Sequence, residues 1–378
     1  MTTTRAAVLQ ERGRARPYAD STPLTIEELS LDDPGPGELL VKIGAAGLCH
    51  SDLSVIDGSR PRPMPMAIGH EGAGVVEAIG PYVAGFEPGD HVVFAFVPMC
   101  GRCTFCLSGE PALCENGALA NGAGTLLGGA LRLHRANGDR VHHHLGVSAF
   151  AERAVVAAGS CVRIDRTVPF EKAALFGCAL MTGVGAVLNT ARVEAGSSVA
   201  IFGLGGVGLS AVMGAALAGA HPIIAVDRVP AKLALAQQLG ATHVLLADDG
   251  GVAAIRDIAR GGVDCAFEAV GHAAVMAEAY GATRRGGKTI AIGLPHPDQK
   301  LSIPAVSIVA EGRQILGSYM GSAVPIRDIP RLISLYQAGK LPVDLLQSGT
   351  LGLDGLNAAF DALASGETVR QVLVPLSP

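Results

Sequence analysis

The stretch Gly203-Leu204-Gly205-Gly206-Val207-Gly208 decides the fold, because it separates an apolar segment at 198–202 from a helical segment at 206–218. A second apolar segment, 223–226, follows and ends one residue before Asp227. Glycines in this order permit a tight turn, let the backbone approach a pyrophosphate and pack the helix closely on the strand. The helix N-terminus would add N–H donors and positive potential for a phosphate. The stretch therefore predicts a βαβ unit that binds a dinucleotide.

The same alternation of strands and helices continues beyond this unit. Helices are predicted at 230–239, 251–260 and 273–285, and strands at 243–247, 263–268, 288–292 and 314–318. Strands that alternate with helices predict a doubly wound parallel sheet in an α/β fold.

The first 170 residues have a different pattern, with short β-branched runs at 38–43, 74–79 and 91–95 between Pro and Gly turns. This pattern predicts a β-rich domain. Residues 119–147 are polar and rich in glycine, and we expect a long surface excursion there. The tail predicts helices near 329–338 and 354–364 and a strand at 369–375.

Composition excludes several classes of protein. The chain has 378 residues, of which 49% are hydrophobic and 17% charged, so it is not intrinsically disordered. A net charge of −5 argues against a nucleic-acid partner. Uncharged runs at 173–191 and 195–226 resemble membrane spans, but the second contains the glycine-rich turn and Pro222, so we predict buried core and no membrane partner.

Eight cysteines and the absence of an apolar leader in residues 1–8 predict a reducing compartment, the cytoplasm. Four of the cysteines lie close together, as Cys100-x2-Cys103-x2-Cys106-x7-Cys114. Four thiolates at this spacing can close a tetrahedral site on zinc, which is typical of a structural ion. An iron–sulfur cluster, a zinc-ribbon module and four unrelated cysteines are the alternatives.

A second group of metal-binding residue types is scattered along the chain, in Cys49-His50-Ser51-Asp52, Gly69-His70-Glu71 and Gly177-Cys178. Two thiolates and one imidazole suit zinc and leave a coordination position open. Spacing alone does not show that these residues converge, so ordinary core positions remain the alternative.

The cofactor preference depends on Asp227 and its neighbour. A carboxylate at this position would accept the ribose hydroxyls of NAD and repel the 2′-phosphate of NADP. Arg228 leaves NADP open as an alternative.

In order and spacing, these motifs resemble the medium-chain zinc alcohol dehydrogenases over nearly the whole chain, and most closely their dimeric class I- and class III-like members. Phe267-Glu268-Ala269-Val270-Gly271 and Val369-Arg370 extend the likeness. The resemblance implies a GroES-like catalytic domain at 1–178 and 319–378 around a Rossmann domain at 179–318. It also implies a homodimer, because 119–147 resembles an insertion of dimeric members and 303–318 predicts an unpaired sheet edge.

The resemblance implies a catalytic zinc on Cys49, His70 and Cys178, with Glu71 as an intermittent ligand. Asp52 would orient His70, and Ser51 would relay the proton of the alcohol. A second zinc would be structural, on the four clustered cysteines. The implied activity is the reversible oxidation of a primary or aryl alcohol, with hydride transfer to NAD. The alternatives are a thiol-adduct formaldehyde dehydrogenase of the same family and a catalytically silent sensor that binds NAD and zinc.

Further contacts are implied by correspondence with family positions. His50 and Arg370 match positions that bind the cofactor pyrophosphate, and Asp227, Arg228 and Lys232 lie around the adenosine ribose. The remaining cofactor positions are Val270, Ile292 and Leu294.

The substrate pocket implied by the resemblance has apolar and polar parts. Its apolar residues are Phe96, Leu145 and Leu294, and its polar residues are Arg60, His144 and Tyr319. The polar residues predict a substrate with a polar or anionic group, although the favoured interpretation of Arg60 and of the run His142-His143-His144 is that they are solvated loops.

Two departures from the family pattern limit the possible chemistry. Ser54 stands where many relatives have the histidine that ends the proton relay, so we expect water to complete it. Arg60, Arg62 and Gly117 replace the residues that bind glutathione in class III enzymes. Oxidation of a glutathione adduct is therefore not expected.

Overall fold

The computed structural model describes residues 2–247 and 251–375 of the chain. The chain divides into two compact units, one made of Met1–Cys178, Val324–Ser334 and Gln347–Pro378 and the other of Ala179–Ala323 and Leu335–Leu346.

The first part of the chain is β-rich, as its sequence predicts. Its strands are β1 (Thr2–Leu9), β2 (Leu24–Leu31), β3 (Glu38–Gly47), β4 (Met66–Ala67), β5 (Glu71–Ile79), β6 (His91–Phe94), β7 (Leu133–His134), β8 (Arg140–His143), β9 (Arg153–Ala157) and β10 (Cys161–Ile164). Its short helices are α1 (Tyr18–Ser21), α2 (His50–Ile56), α3 (Thr104–Leu107), α4 (Glu115–Ala123) and α5 (Phe170–Ala173).

The middle of the chain alternates between helices and strands. The helices are α6 (Ala179–Gly185), α7 (Gly206–Leu217), α8 (Pro230–Gln238), α9 (Gly251–Ile258), α10 (Ala273–Ala282) and α11 (Ala305–Ala310). The strands are β11 (Val199–Phe202), β12 (Ile223–Asp227), β13 (His243–Leu246), β14 (Val263–Glu268), β15 (Thr283–Ala291) and β16 (Gln314–Gly317). The tail contributes α12 (Pro325–Gln337), β17 (Gln347–Leu351), α13 (Leu356–Ser365) and β18 (Arg370–Leu373).

The first unit contains a closed barrel and a second sheet. The barrel runs β1-β2-β7-β8-β4, and the sheet runs β10-β6-β5-β3-β18-β17, with β9 also paired to β3. Pairing of β3 places Gly47 opposite Glu71 of β5 and opposite Val372 of β18. The segments around Cys49, His70 and Arg370 therefore start from the same end of this sheet.

The second unit confirms the predicted doubly wound sheet. Its strands are all parallel, in the order β13-β12-β11-β14-β15-β16. Phe202 of β11 lies opposite Val226 of β12 and Glu268 of β14. The glycine-rich turn, Asp227 and Glu268 thus share the carboxyl edge of the sheet, where ligands bind in such folds.

Residues 119–147 do not form the expected surface excursion. They include the end of α4 and both β7 and β8, which close the barrel. Leu126, Leu133 and Val141 are buried in an apolar cluster with Leu31 of β2. Burial of these three apolar side chains holds an otherwise polar segment against the barrel, although its glycine-rich composition is typical of a surface loop.

The two compact units also differ from the implied domain limits, since 319–323 and Leu335–Leu346 group with the second unit. Hydrogen bonds to the segment before β11 explain why 319–323 belong to the second unit. The Thr190 hydroxyl lies 2.8 Å from the Ser318 hydroxyl and 2.9 Å from that of Ser322, and Asn189 donates to the Gly321 carbonyl at 3.2 Å.

Among the described residues, no single helix is long and apolar enough to cross a membrane. The consecutive helical segments Phe170–Gly177 and Ala179–Ala191 reach that length and composition only when they are taken together.

Candidate active site

Four side chains with metal-binding atoms converge in the first unit, at Cys49, His70, Glu71 and Cys178. All four are buried, and their ligand atoms lie within 4.8 Å of one another. Cys49 precedes α2, and Cys178 precedes α6. His70 immediately precedes β5, and Glu71 is the first residue of that strand. The predicted ligands that sequence spacing could not bring together therefore form one group.

Asp52 fixes the orientation of the imidazole in this group. His70 Nδ1 lies 2.9 Å from Asp52 Oδ1, and both side chains are buried. An ionised carboxylate only accepts hydrogen bonds, so Nδ1 carries the proton and Nε2 is left to bind a metal.

The two thiols of the group are coupled. A hydrogen bond from Cys178 is the largest cause that holds the pKa of Cys49 well below that of an ordinary thiol. The same contact, together with burial, raises the pKa of Cys178 well above it. Ionisation of Cys49 is thus already favoured, and a metal that binds here must displace the proton of Cys178.

Glu71 lies beside the thiols and is held by Arg370. Arg370 Nη1 donates to Glu71 Oε1 at 2.9 Å and to the Leu48 carbonyl at 2.8 Å. Burial raises the pKa of Glu71 to about 8, although Arg370 opposes this shift. Glu71 Oε2 is buried without a partner among the described residues. This leaves an acceptor next to the thiols that can approach a cation.

A glycine is required immediately before His70. Gly69 has a φ of +95°, and a Cβ atom there would lie 2.5 Å from the Phe150 backbone nitrogen. Only glycine adopts this conformation at little cost, and it also permits the close approach to Phe150.

The second metal group is the four-cysteine lobe. The sulfurs of Cys100, Cys103, Cys106 and Cys114 lie within 4.8 Å of one another, and the Cys103 and Cys114 sulfurs are 3.9 Å apart. Four sulfurs arranged tetrahedrally around zinc would be about 3.8 Å apart. The lobe therefore fits zinc closely and leaves no position open for a substrate.

Backbone amides prepare this lobe for a cation. Gly117 N–H donates to Cys114 Sγ at 3.3 Å, and Cys103 N–H donates to Cys100 Sγ at 3.3 Å. Burial opposes ionisation of Cys100, but hydrogen bonds, the largest from Asn116, lower its pKa to about 6. The same lobe raises the pKa of Cys106 to about 12, chiefly by burial.

In the second unit, the turn Gly203–Gly208 joins β11 to α7, as predicted. A Cβ atom at Gly208 would lie 1.7 Å from the Gly203 carbonyl oxygen, so only glycine fits where the helix packs on the turn. Asp227 Oδ2 accepts from the Leu204 N–H at 2.6 Å, and Oδ1 accepts from the Val229 N–H at 2.9 Å. The carboxylate thus stands at the turn itself.

Glu268 is a residue whose role the sequence analysis missed. It is buried, and its Oε1 accepts from the N–H groups of Val270 at 2.8 Å and Gly271 at 2.7 Å. It thereby shapes the loop after β14, from which Val270 is half exposed. Its position as an acidic residue at the carboxyl end of β14 is the feature of the sequence that could have indicated this role.

Comparison with known proteins places this architecture in a family. Residues 35–166 match the alcohol dehydrogenase GroES-like domain, and residues 206–338 match the zinc-binding dehydrogenase domain. The chain belongs to the medium-chain zinc alcohol dehydrogenase family. The predicted family, fold class and type of enzyme are thereby confirmed.

Relatives within this family cover almost the whole chain. Alcohol dehydrogenase class-3 of Drosophila melanogaster is 39% identical, over 93% of this chain and 94% of that protein. S-(hydroxymethyl)glutathione dehydrogenase of Paracoccus denitrificans is 36% identical, over 98% and 99%. The crystal structure of benzyl alcohol dehydrogenase from Acinetobacter calcoaceticus superposes with a TM-score of 0.92, at 36% identity and with 99% and 100% coverage.

For a zinc alcohol dehydrogenase, the position of His144 in this chain is unexpected. The solvated-loop interpretation is wrong for His143 and His144, because both are buried. His144 Nδ1 lies 3.1 Å from Asp52 Oδ1, and its ring meets the His70 ring edge-on at 5.6 Å between centroids. Burial would raise the pKa of Asp52, but the two imidazoles hold it below its ordinary value.

The other predicted pocket residues are divided between the units. Phe96 is buried with its ring centroid 5.7 Å from that of His70, and Leu145 is buried next to His144 in sequence. Arg60 is half-buried in the first unit, whereas Leu294 and Tyr319 are partly exposed in the second. An anionic substrate remains a prediction, and His144 no longer supports it.

The remaining cofactor positions are similarly divided. His50 is exposed in the first unit, whereas Ile292 is buried and Lys232 half-buried in the second. Arg370 lies in the first unit with Nη1 on Glu71, so its predicted pyrophosphate contact would have to use its other nitrogens.

Proposed function

We propose that this chain is an NAD-dependent dehydrogenase that oxidises a primary or aryl alcohol at a zinc ion held by Cys49, His70 and Cys178. The observation that carries the proposal is the buried convergence of two thiols and one imidazole, whose far nitrogen is fixed by Asp52. This donor set suits zinc and leaves one coordination position for a substrate oxygen. A second zinc on the four-cysteine lobe stabilises the fold.

The cofactors supply the chemistry that the side chains lack: bound zinc lowers the pKa of an alcohol, and nicotinamide accepts the hydride. The protein supplies positioning and proton transfer. Asp52 holds His70 in the tautomer that binds metal, and Arg370 keeps Glu71 beside the thiols. Phe96 gives the site an apolar wall against the imidazole.

In this proposal the Ser51 hydroxyl accepts the proton of the alcohol. Ser51 stands in the first turn of α2, two residues after Cys49, and is half-buried. Ser54, one turn further on, donates its hydroxyl to the His50 carbonyl at 2.8 Å. Because that hydroxyl is engaged by the backbone, we expect the proton to pass from Ser51 to water rather than to Ser54.

A thiol–formaldehyde adduct is a second candidate substrate, favoured by the similarity to the Paracoccus enzyme. Gly117 argues against glutathione as the thiol. A Cβ atom there would lie 2.3 Å from the Pro98 carbonyl oxygen, so the anion-binding arginine of class III enzymes has no room at this position.

A panel of primary, secondary and aryl alcohols and of formaldehyde, read by NADH absorbance with thiols added and omitted, separates the two candidates. We expect turnover of alcohols without a thiol. Turnover of formaldehyde only in the presence of a thiol would favour the adduct. Failure of every substrate would favour a silent NAD- and zinc-binding protein.

NAD is expected to be preferred over NADP, because the Asp227 carboxylate lies on the glycine-rich turn. Asp227→Gly should shift the ratio of kcat/KM values toward NADP by ~1–3 kcal/mol, the cost of an unpaired polar contact. The control is Arg228→Gln, which should keep the NAD preference and, combined with Asp227→Gly, reduce the gain for NADP. Equal kcat/KM for both cofactors in the wild type would contradict this prediction.

We also propose that the protein is a homodimer in the cytoplasm. All eight cysteines lie in the described part of the chain and none of them is in a disulfide, which fits a reducing compartment. In the second unit, β16 ends the described sheet, and the neighbouring α11 exposes Val306 and Val309 by 72% and 85%. An edge strand beside an exposed apolar helix can pair with its own copy across a two-fold axis.

Light scattering should give about twice the chain mass of 38.4 kDa. Val309→Asp should yield a monomer, because it places a charge in the proposed interface. Ile326→Asp alters an equally apolar exposed side chain on α12 and should leave the dimer intact. A tetramer, or a monomeric wild type, would contradict the proposal.

A further inference from the structure

The Asp52 carboxylate is shared by two buried imidazoles, and only one of them belongs to the metal group. His70 Nδ1 lies 2.9 Å from Asp52 Oδ1, and His144 Nδ1 lies 3.1 Å from the same oxygen. Asp52 Oδ2 is buried without a partner among the described residues, and His144 Nδ1 makes no well-aligned hydrogen bond. A nitrogen without a well-aligned acceptor thus lies beside a carboxylate whose second oxygen has no partner among the described residues, so Asp52 can serve both rings.

The backbone holds His144 firmly in this position. Its N–H lies 3.1 Å from the Ser148 hydroxyl oxygen and 3.2 Å from the Ala67 carbonyl. Its carbonyl accepts from the N–H groups of Val147 at 3.0 Å and Ser148 at 3.3 Å. Leu145 and Ser148 have φ values of +50° and +54°, a strained conformation for non-glycine residues. A tight turn with strained backbone therefore directs this imidazole inward. An exposed loop would not need that strain.

We propose that His144 is a positioning residue for the catalytic zinc: it fixes the Asp52 carboxylate that also orients His70, and so controls how firmly His70 holds the metal. The inference rests on the proposed function, because it takes Cys49, His70 and Cys178 as the zinc ligands. Partners of ligating histidines typically change metal affinity by ~10–100-fold when they are altered, because they set the ring orientation. His144 acts one contact further out, so the lower end of that range applies.

The test is the rate at which a chromogenic chelator removes zinc from the purified protein. The Cys178→Ala variant, which keeps only the zinc of the four-cysteine lobe, defines the slow background. His144→Phe keeps a planar aromatic ring, somewhat larger than imidazole, but removes the donor, and it should release the second zinc about tenfold faster than the wild type. His144→Asn places an amide nitrogen near the position of Nδ1 and should restore most of the wild-type rate.

His143→Phe is the matched control for packing. His143 is equally buried and adjacent, but its ring nitrogens lie against the Arg132 N–H at 3.1 Å and the Ser148 hydroxyl at 3.5 Å, not against a carboxylate. It should change thermal stability without changing zinc release.

Equal release from the wild type and His144→Phe would overturn the inference. So would equally fast release from His143→Phe, which would show an effect of packing alone. If the wild type bound a third zinc that His144→Phe lacked, His144 would be a metal ligand together with Asp52 and His70, and its role as a positioning residue would be wrong. A wild type with no more zinc than Cys178→Ala would overturn the proposed function itself.

Discussion

Replacing Cys178 with alanine should abolish alcohol oxidation and remove one of two zinc ions, while the protein remains folded. The thiol is one of two in a buried group with a single imidazole, so its loss leaves too few ligands to hold the metal. Lewis-acid catalysis contributes several kcal/mol, and a loss of ~4 kcal/mol corresponds to a fall in kcat/KM of about 1,000-fold. Metal analysis and NADH formation on the same sample measure both effects.

Cys161→Ala is the control for this prediction. Cys161 is also a buried thiol, but it packs in the apolar core of the first unit and belongs to neither metal group. The Cys161→Ala protein should be somewhat less stable, because the core loses a sulfur atom, yet it should keep two zinc ions and full turnover. If Cys178→Ala retained both zinc ions, or oxidised alcohols at the wild-type rate, the catalytic assignment would be wrong.

Replacing Cys103 with alanine should have the opposite pattern, with a large loss of stability and little effect on the chemical step. The lobe between Cys100 and Cys114 has few regular elements, namely α3 and the single helical turn Pro111–Leu113, so its four sulfurs must hold it around an ion. Structural zinc contributes folding free energy directly. A loss of ~4 kcal/mol, at 2–4 °C per kcal/mol, corresponds to a fall in Tm of roughly 10 °C.

The two variants should therefore be complementary. Cys103→Ala should keep the zinc that Cys178→Ala loses, and calorimetry with metal analysis of both proteins measures this. A Cys103→Ala protein with the wild-type Tm and two zinc ions would show that the lobe holds no metal.

The parts of the molecule that depend on local order could be predicted from the sequence. The turn Gly203–Gly208, the parallel strands around it and the four-cysteine lobe each lie within a short segment, where spacing determines geometry. Apolar periodicity also located most helices and strands, because buried parallel strands are continuous apolar runs.

The parts that depend on distant contacts could not be predicted. Arg370 and Glu71 are 299 residues apart, and β18 brings them together by pairing with β3. His144 lies in a run of three histidines whose composition favours solvent, and only the turn around Leu145 directs its ring toward Asp52. In both places the tertiary structure brings a buried carboxylate, Glu71 or Asp52, next to a side chain that is distant in the sequence.

The most direct test of the central claim is to return zinc stepwise to the metal-depleted protein while recording NADH formation from benzyl alcohol and NAD. Our account predicts no turnover without zinc and full turnover at two zinc ions per chain. In Cys178→Ala the same titration should give no turnover at any zinc level. Turnover by the metal-depleted wild type, or equal turnover in Cys178→Ala, would contradict the account.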